Sequence, residues 1–101
     1  MRSFGPDVKN LLRKLLRNYS LYFSHDALNS EGRKVFEEMA RMLIYEHPEL
    51  KPMVKKARRD PSLQNILKIA SIVLGEDAVK QLISLYKHPY KYDFEDKIQK
   101  I

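Results

Sequence analysis

Before residue 89 the apolar side chains recur every three or four positions and hardly ever every second one, and that spacing commits the chain to helices. The first stretch shows it most fully. Val8, Leu11, Leu12, Leu15, Leu16, Tyr19 and Phe23 form one apolar stripe, with Lys9, Arg13, Lys14 and Arg17 on the opposite side. Pro6 suits a first helical position, so the pattern predicts one helix from about 6 to 23. A turn, SHDALN, is expected after it.

Further helices follow by the same reasoning. Asn29 or Ser30 can cap a second helix that buries Val35, Phe36, Met39, Met42 and Leu43 and ends at His47, because Pro48 disfavours helical geometry before it. A third, within 49–59, buries Leu50, Met53, Val54 and Ala57. Pro52 makes a start at Lys51 the better one. Asp60-Pro61 reads as a cap and first-turn proline for a fourth helix, SLQNILKIASIVL, which is apolar nearly all round and so belongs in the centre. Gly75 is expected to close it in a left-handed cap. A fifth helix, about 77 to 87, buries Ala78, Val79, Leu82, Ile83 and Tyr86. The expected fold is all-α, a compact bundle of about five short helices over residues 1–88. Residues 89–101 form a C-terminal arm or a short sixth helix, since Tyr90, Tyr92 and Phe94 alternate with charged residues.

At 101 residues the chain fits one domain, with 44% apolar and 32% charged residues, neither disordered nor membrane-like in composition. No apolar run approaches the roughly 18 residues of a spanning helix, and charges interrupt the N-terminal stretch as they would not in a secretory signal. With no Cys there is no disulfide framework or thiol chemistry, which points to a cytoplasmic protein. No membrane partner is expected.

The net charge is +6, and it is unevenly placed: +4 over residues 1–23, −2 over 24–47 and +3 over 48–60. Two basic segments flanking an acidic one favour a polyanion partner. The densest is KPMVKKARRD, with Lys51, Lys55, Lys56, Arg58 and Arg59 inside nine residues. Lys51, Lys55 and Arg58 fall on one side of a helix, with Lys56 and Arg59 beside it. A phosphate backbone needs several cations at such spacing. The alternative is an ordinary solvated helix face.

No catalytic residue, metal ligand or cofactor site is expected. His25, His47 and His88 each fall at a turn or helix end, where a His caps backbone groups or faces water. The glycines stand too far apart for a phosphate loop. Glu37 and Glu38 read as the acidic solvent side of the second helix. Aligning NILKIASIVLGEDAVKQLISLYKH as a helix-turn-helix puts Gln81 and Ser84 at apolar positions and opens the reading helix with two acids, so major-groove reading is rejected. Tyr86, Tyr90 and Tyr92, interleaved with Lys87, His88 and Lys91, suit either base stacking or, with Phe94, a protein interface.

Three stretches, SEGRKVFEE, LKPMVKKAR and LYKHPYK, resemble in their order the small helical Csm-type subunit of type III CRISPR effector complexes. The last departs from that family in lacking its glycines. The resemblance implies a non-catalytic, basic, all-α subunit stacked along a guide–target duplex. It would set Arg33, Lys34, Lys51, Lys55 and Arg58 against RNA backbone. From the residues alone, the leading expectation is a subunit that binds nucleic-acid backbone, RNA or single strands in preference, through Lys51, Lys55, Lys56, Arg58 and Arg59 together with Arg13, Lys14 and Arg17. The rivals are a protein-interaction module or homodimer using the aromatic arm, and an architectural or viral protein on duplex DNA.

Overall fold

The computed structural model describes residues 3–87, with the side chains of 84–87 left aside. The fold is all-α, and the described residues form six α-helices, one 3-10 turn and a two-stranded hairpin. In order these are α1 (Pro6–Arg17), α2 (Tyr19–Tyr22), β1 (Phe23–Ser24), β2 (Ala27–Leu28) and α3 (Ser30–Glu46), then a 3-10 turn (Pro48–Leu50), α4 (Lys51–Arg59), α5 (Leu63–Leu74) and α6 (Glu76–Lys87). Expectations for residues 88–101, among them the arm, lie outside the described residues.

α1 starts at Pro6 as expected but ends at Arg17, where a continuous helix to Phe23 was predicted. Asn18 breaks it: its backbone sits at φ −109, ψ 47, and its side-chain amide donates to the Lys14 carbonyl at 3.0 Å. An Asn that offers its own side chain to the backbone in this way competes with the helix ladder. At the next residue the chain resumes helical geometry as α2.

The SHDALN segment is a hairpin rather than a plain turn. Phe23 pairs with Leu28 and Ser24 with Ala27. The central residues His25 and Asp26 both have positive φ, 54 and 59 degrees, the geometry that two-residue hairpins use and that Asn-Gly usually fills. Neighbours hold these non-glycine residues in place. The Tyr19 hydroxyl donates to the Asp26 carboxylate, and the Leu63 amide donates to the Asp26 carbonyl at 2.7 Å. The Leu28 amide reaches the Pro61 carbonyl at 2.9 Å, and Ala27 bridges to Ser62.

Asn29 caps α3, its side-chain oxygen accepting from the Gly32 amide at 2.8 Å. Gly32 is needed here because a Cβ would run into the Tyr22 carbonyl and the Leu28 side chain. Pro48 ends the helix as predicted, with His47 as C-cap. α4 begins at Lys51, and Pro52 falls in its first turn.

The reading of Asp60-Pro61 as a helix start is corrected. Asp60 closes α4 and Ser62 caps α5, its hydroxyl accepting from the Asn65 amide at 3.3 Å. Pro61 stays outside because its carbonyl is taken by Leu28. Asp60 instead serves the buried Asn65, whose side-chain amide donates to the Asp60 carbonyl at 2.8 Å. Gly75 closes α5 with positive φ, as expected. Its ψ of 150 degrees, however, lies in an extended mirror region that is essentially glycine-only, rather than in the left-handed helical well.

The core takes Val8, Leu12, Leu15 and Leu16 from α1, Phe36, Met39, Ala40 and Leu43 from α3, Val54 and Ala57 from α4, Ile66, Ile69 and Ala70 from α5, and Val79 and Leu82 from α6. Burying each large aliphatic residue contributes roughly 1.5–3 kcal/mol against the entropy of ordering. α1 packs mainly on α3 and also on α6 and α5, whereas α4 packs on α5 and α3. α5 therefore touches α1, α4 and α6, the central place its all-round apolarity predicted. α1 and α3 run antiparallel, since the Gly5 amide donates to Glu46 at 3.0 Å and the Phe4 ring packs tilted against His47 with centroids 4.5 Å apart.

Candidate nucleic-acid interface

α4 is a short helix held by one side. Leu50, Val54 and Ala57 are buried and Met53 is half-buried, so the remaining positions of its two and a half turns face outward. Lys51, Lys55, Lys56 and Arg59 are all exposed there. Lys55 and Arg59, four apart, run along the middle of the outward side, with Lys51 and Lys56 on its flanks. Among the described residues, none of these four cations has an ion-pair partner. The N-terminal half of a helix repels cations and its C-terminal half attracts them, which partly accounts for Lys56, Arg58 and Arg59 in the last turn. Lys51 in the first turn has no such reason to be there.

Arg58 differs from its neighbours. Its guanidinium makes two hydrogen bonds to the Glu37 carboxylate, at 2.8 and 2.9 Å, the fork-to-fork geometry of a strong charge-assisted pair. Both side chains are a little over one third exposed. The pair ties α4 to α3 across 21 residues of sequence. Glu37 is thus not merely part of a solvated acidic side. Glu38 is exposed and borders a shallow cleft between α1 and α3 with Asp7, Asn10, Leu11 and Met42.

The other basic residues named from the sequence lie elsewhere. Lys14 and Arg17 are exposed on α1 and Arg13 is half-buried, its guanidinium donating to the Asn10 side chain at 3.1 Å. Arg13 and Arg17 line a cleft of about 240 Å³ against Ala78, Gln81 and Leu82 of α6. Arg33 is exposed on α3, and Lys34 is paired with Glu31 at 3.4 Å in open solvent. The structure therefore gathers Lys51, Lys55, Lys56 and Arg59 on one surface, Arg13, Lys14 and Arg17 on another, and Arg33 and Lys34 on α3. Tyr90, Tyr92 and Phe94 lie outside the described residues, as does the side chain of Tyr86.

Of the described histidines, one sits at a helix end and one in a turn. His47 sits with one ring nitrogen 2.7 Å from the Ser3 carbonyl and the other 3.3 Å from Glu49, and His25 is exposed in the hairpin turn. No group of three or more His, Asp or Glu capable of holding a metal occurs among the described residues. No helix there is long and apolar enough to cross a membrane.

Sequence reasoning overlooked Tyr45, which stands 88% exposed near the end of α3. Its position was legible, since helical spacing from Phe36, Met39 and Leu43 places 45 off the buried side, but an aromatic residue by itself carries no sign of exposure. Comparison with protein-family models, with curated proteins and with solved structures finds no match for this chain.

Proposed function

We propose that the protein is a non-catalytic subunit that binds nucleic-acid backbone, RNA or a single strand in preference to duplex, as part of a nucleoprotein complex of the Csm-type or a similar kind. The observation that carries this reading is the outward side of α4. Among the described residues, four cations there lack carboxylate partners while the fifth, Arg58, ties the helix that presents them to α3. Such a surface has donors for phosphate and little means of distinguishing bases, so binding would be electrostatic and sequence-tolerant. Four phosphate contacts give a slope of log affinity against log salt of about −2.8 on a single strand and about −3.6 on duplex DNA.

The test is fluorescence anisotropy of a labelled single-stranded RNA and of a DNA duplex at two or more salt concentrations, with the wild type and a variant carrying Lys51, Lys55, Lys56 and Arg59 changed to Ala. Salt-dependent binding to the RNA that is weakened, with a shallower salt slope, in the variant supports the reading. Equal binding by the variant, or a curve indifferent to salt, sinks it. Preference for the duplex would favour the architectural DNA protein instead.

A second reading, a protein-interaction module, has its own support in Tyr45. An aromatic ring left in solvent is the kind of anchor that protein interfaces use. Concentration-dependent mass in sedimentation, abolished by Tyr45→Ala and untouched by the α4 substitutions, would favour that reading.

A further inference from the structure

We infer that the protein carries two separate cationic faces on opposite sides of its bundle and bridges two nucleic-acid strands, where a single continuous surface would line one. This rests on the nucleic-acid reading above and extends it from a binding site to a geometry of binding.

The inference follows from which helices are neighbours. α3 and α5 each pack on both α1 and α4, while α1 and α4 make no extensive contact with each other. The two basic helices therefore occupy diagonal corners of the bundle, with α3 and α5 between them. Each buries the side that faces the core: Val8, Leu12, Leu15 and Leu16 on α1, and Val54 and Ala57 on α4. Their outward sides, which hold the cations, consequently diverge. Neighbouring helices lie about 8–10 Å apart and each has a radius of about 5 Å, so the two outer surfaces are separated by roughly 25 Å. That exceeds the Debye length of about 8 Å at physiological salt, so the two faces act independently on polyanions.

The α1 face has the means to hold a strand of its own. Lys14 and Arg17 are exposed and have no ion-pair partner among the described residues. Arg13 donates to the neutral Asn10 side chain and borders, with Arg17, the cleft against α6. The acids that open α6, Glu76 and Asp77, form no ion pair with either arginine. Between the two faces the outer side of α3 carries mixed charge, with Glu38 and the Glu31–Lys34 pair among the exposed Arg33 and Arg41 and Asp7 at the neighbouring cleft, so acids are interspersed along that side.

The experiment mixes two short polyuridine oligonucleotides, which cannot pair with each other, one carrying a donor dye and one an acceptor, with the full chain at sub-saturating concentration. Energy transfer should appear on addition of wild type and disappear in excess protein, as each strand finds its own molecule. Titration of wild type should give two strands per chain. The variant Lys14→Glu/Arg17→Glu, both at exposed positions, should bind one strand per chain with a salt slope near that of α4 alone and give no transfer. The Lys51, Lys55, Lys56, Arg59 to Ala variant should likewise bind one strand and give no transfer. One strand per wild-type molecule with no transfer overturns the inference while leaving the nucleic-acid reading in place. Transfer that survives the α1 substitutions overturns it too, since bridging would then come from self-association. Failure of the wild type to bind either oligonucleotide overturns the nucleic-acid reading itself.

Discussion

α1 and α4 carry the same pattern in the sequence, an apolar stripe backed by lysines and arginines, yet the fold uses them differently. α1 spans 12 residues and drives four fully buried side chains into contact with α3, α5 and α6. α4 spans nine residues, below the length at which a helix holds in water by itself, and lies at the rim of the bundle. Its hold on the fold is Val54, Ala57, Leu50 and the Arg58–Glu37 pair. One helix is a pillar with cations along its margin. The other is a display element kept helical by its attachments. Amphipathic pattern alone gives a helix and a facing direction, and the number of neighbours decides which kind of element it becomes.

The contrast can be broken or sharpened by substitution. Leu12→Ala in α1 should lower unfolding free energy by about 2–5 kcal/mol in urea titration, because Leu12 is fully buried where several helices meet. Val54→Ala removes fewer atoms at the rim and should lower it by less, about 1–2.5 kcal/mol. A loss at Val54 as large as that at Leu12 would contradict the peripheral role given to α4. Changing Asn29 to Ala removes the cap of α3, the helix on which both α1 and α4 pack, and should lower stability by about 1 kcal/mol. The Arg58–Glu37 pair, partly open to solvent, should show a coupling of about 0.5–1 kcal/mol in a double-mutant cycle. Lys55→Ala and Arg59→Ala should stay within about 0.5 kcal/mol of wild type while Arg58→Ala does not. If all three behave alike, Arg58 is not the anchor described.

Much of this fold was legible because its signals are local. Pro6, Asn29, Pro48 and Gly75 mark helix boundaries through their own backbone chemistry, and the three-four spacing assigned the buried sides of α1, α3 and α4 with few errors. What was not legible depended on residues far apart or on elements too short to show a period. The break at Asn18 is hidden because Tyr19 and Phe23 continue the apolar spacing of α1 through it. The hairpin has two residues per strand and turns on His25-Asp26, which lacks the glycine that would announce it. Ser62 displaced Asp60 as the cap because Pro61 was claimed by Leu28 from across the chain. At the candidate interface, the cations of α4 could be listed from sequence. The withdrawal of Arg58 by a carboxylate 21 positions away could not, nor could the divergence of the two basic helices.

The contacts that tie the hairpin to the start of α5 close a long circuit. Chain leaving Asp26 returns to it at Leu63, whose amide bonds the Asp26 carbonyl. Everything between, α3 and α4 included, is an excursion with its two ends clasped together. Because loop closure grows only with the logarithm of length, doubling such a circuit adds about 0.6 kcal/mol. The connector at 47–50 is therefore a place where the excursion could be lengthened and the basic helix re-aimed, while the clasp keeps the rest of the molecule in register. In a builder's vocabulary, α4 is an adjustable bracket on a frame that is already fastened.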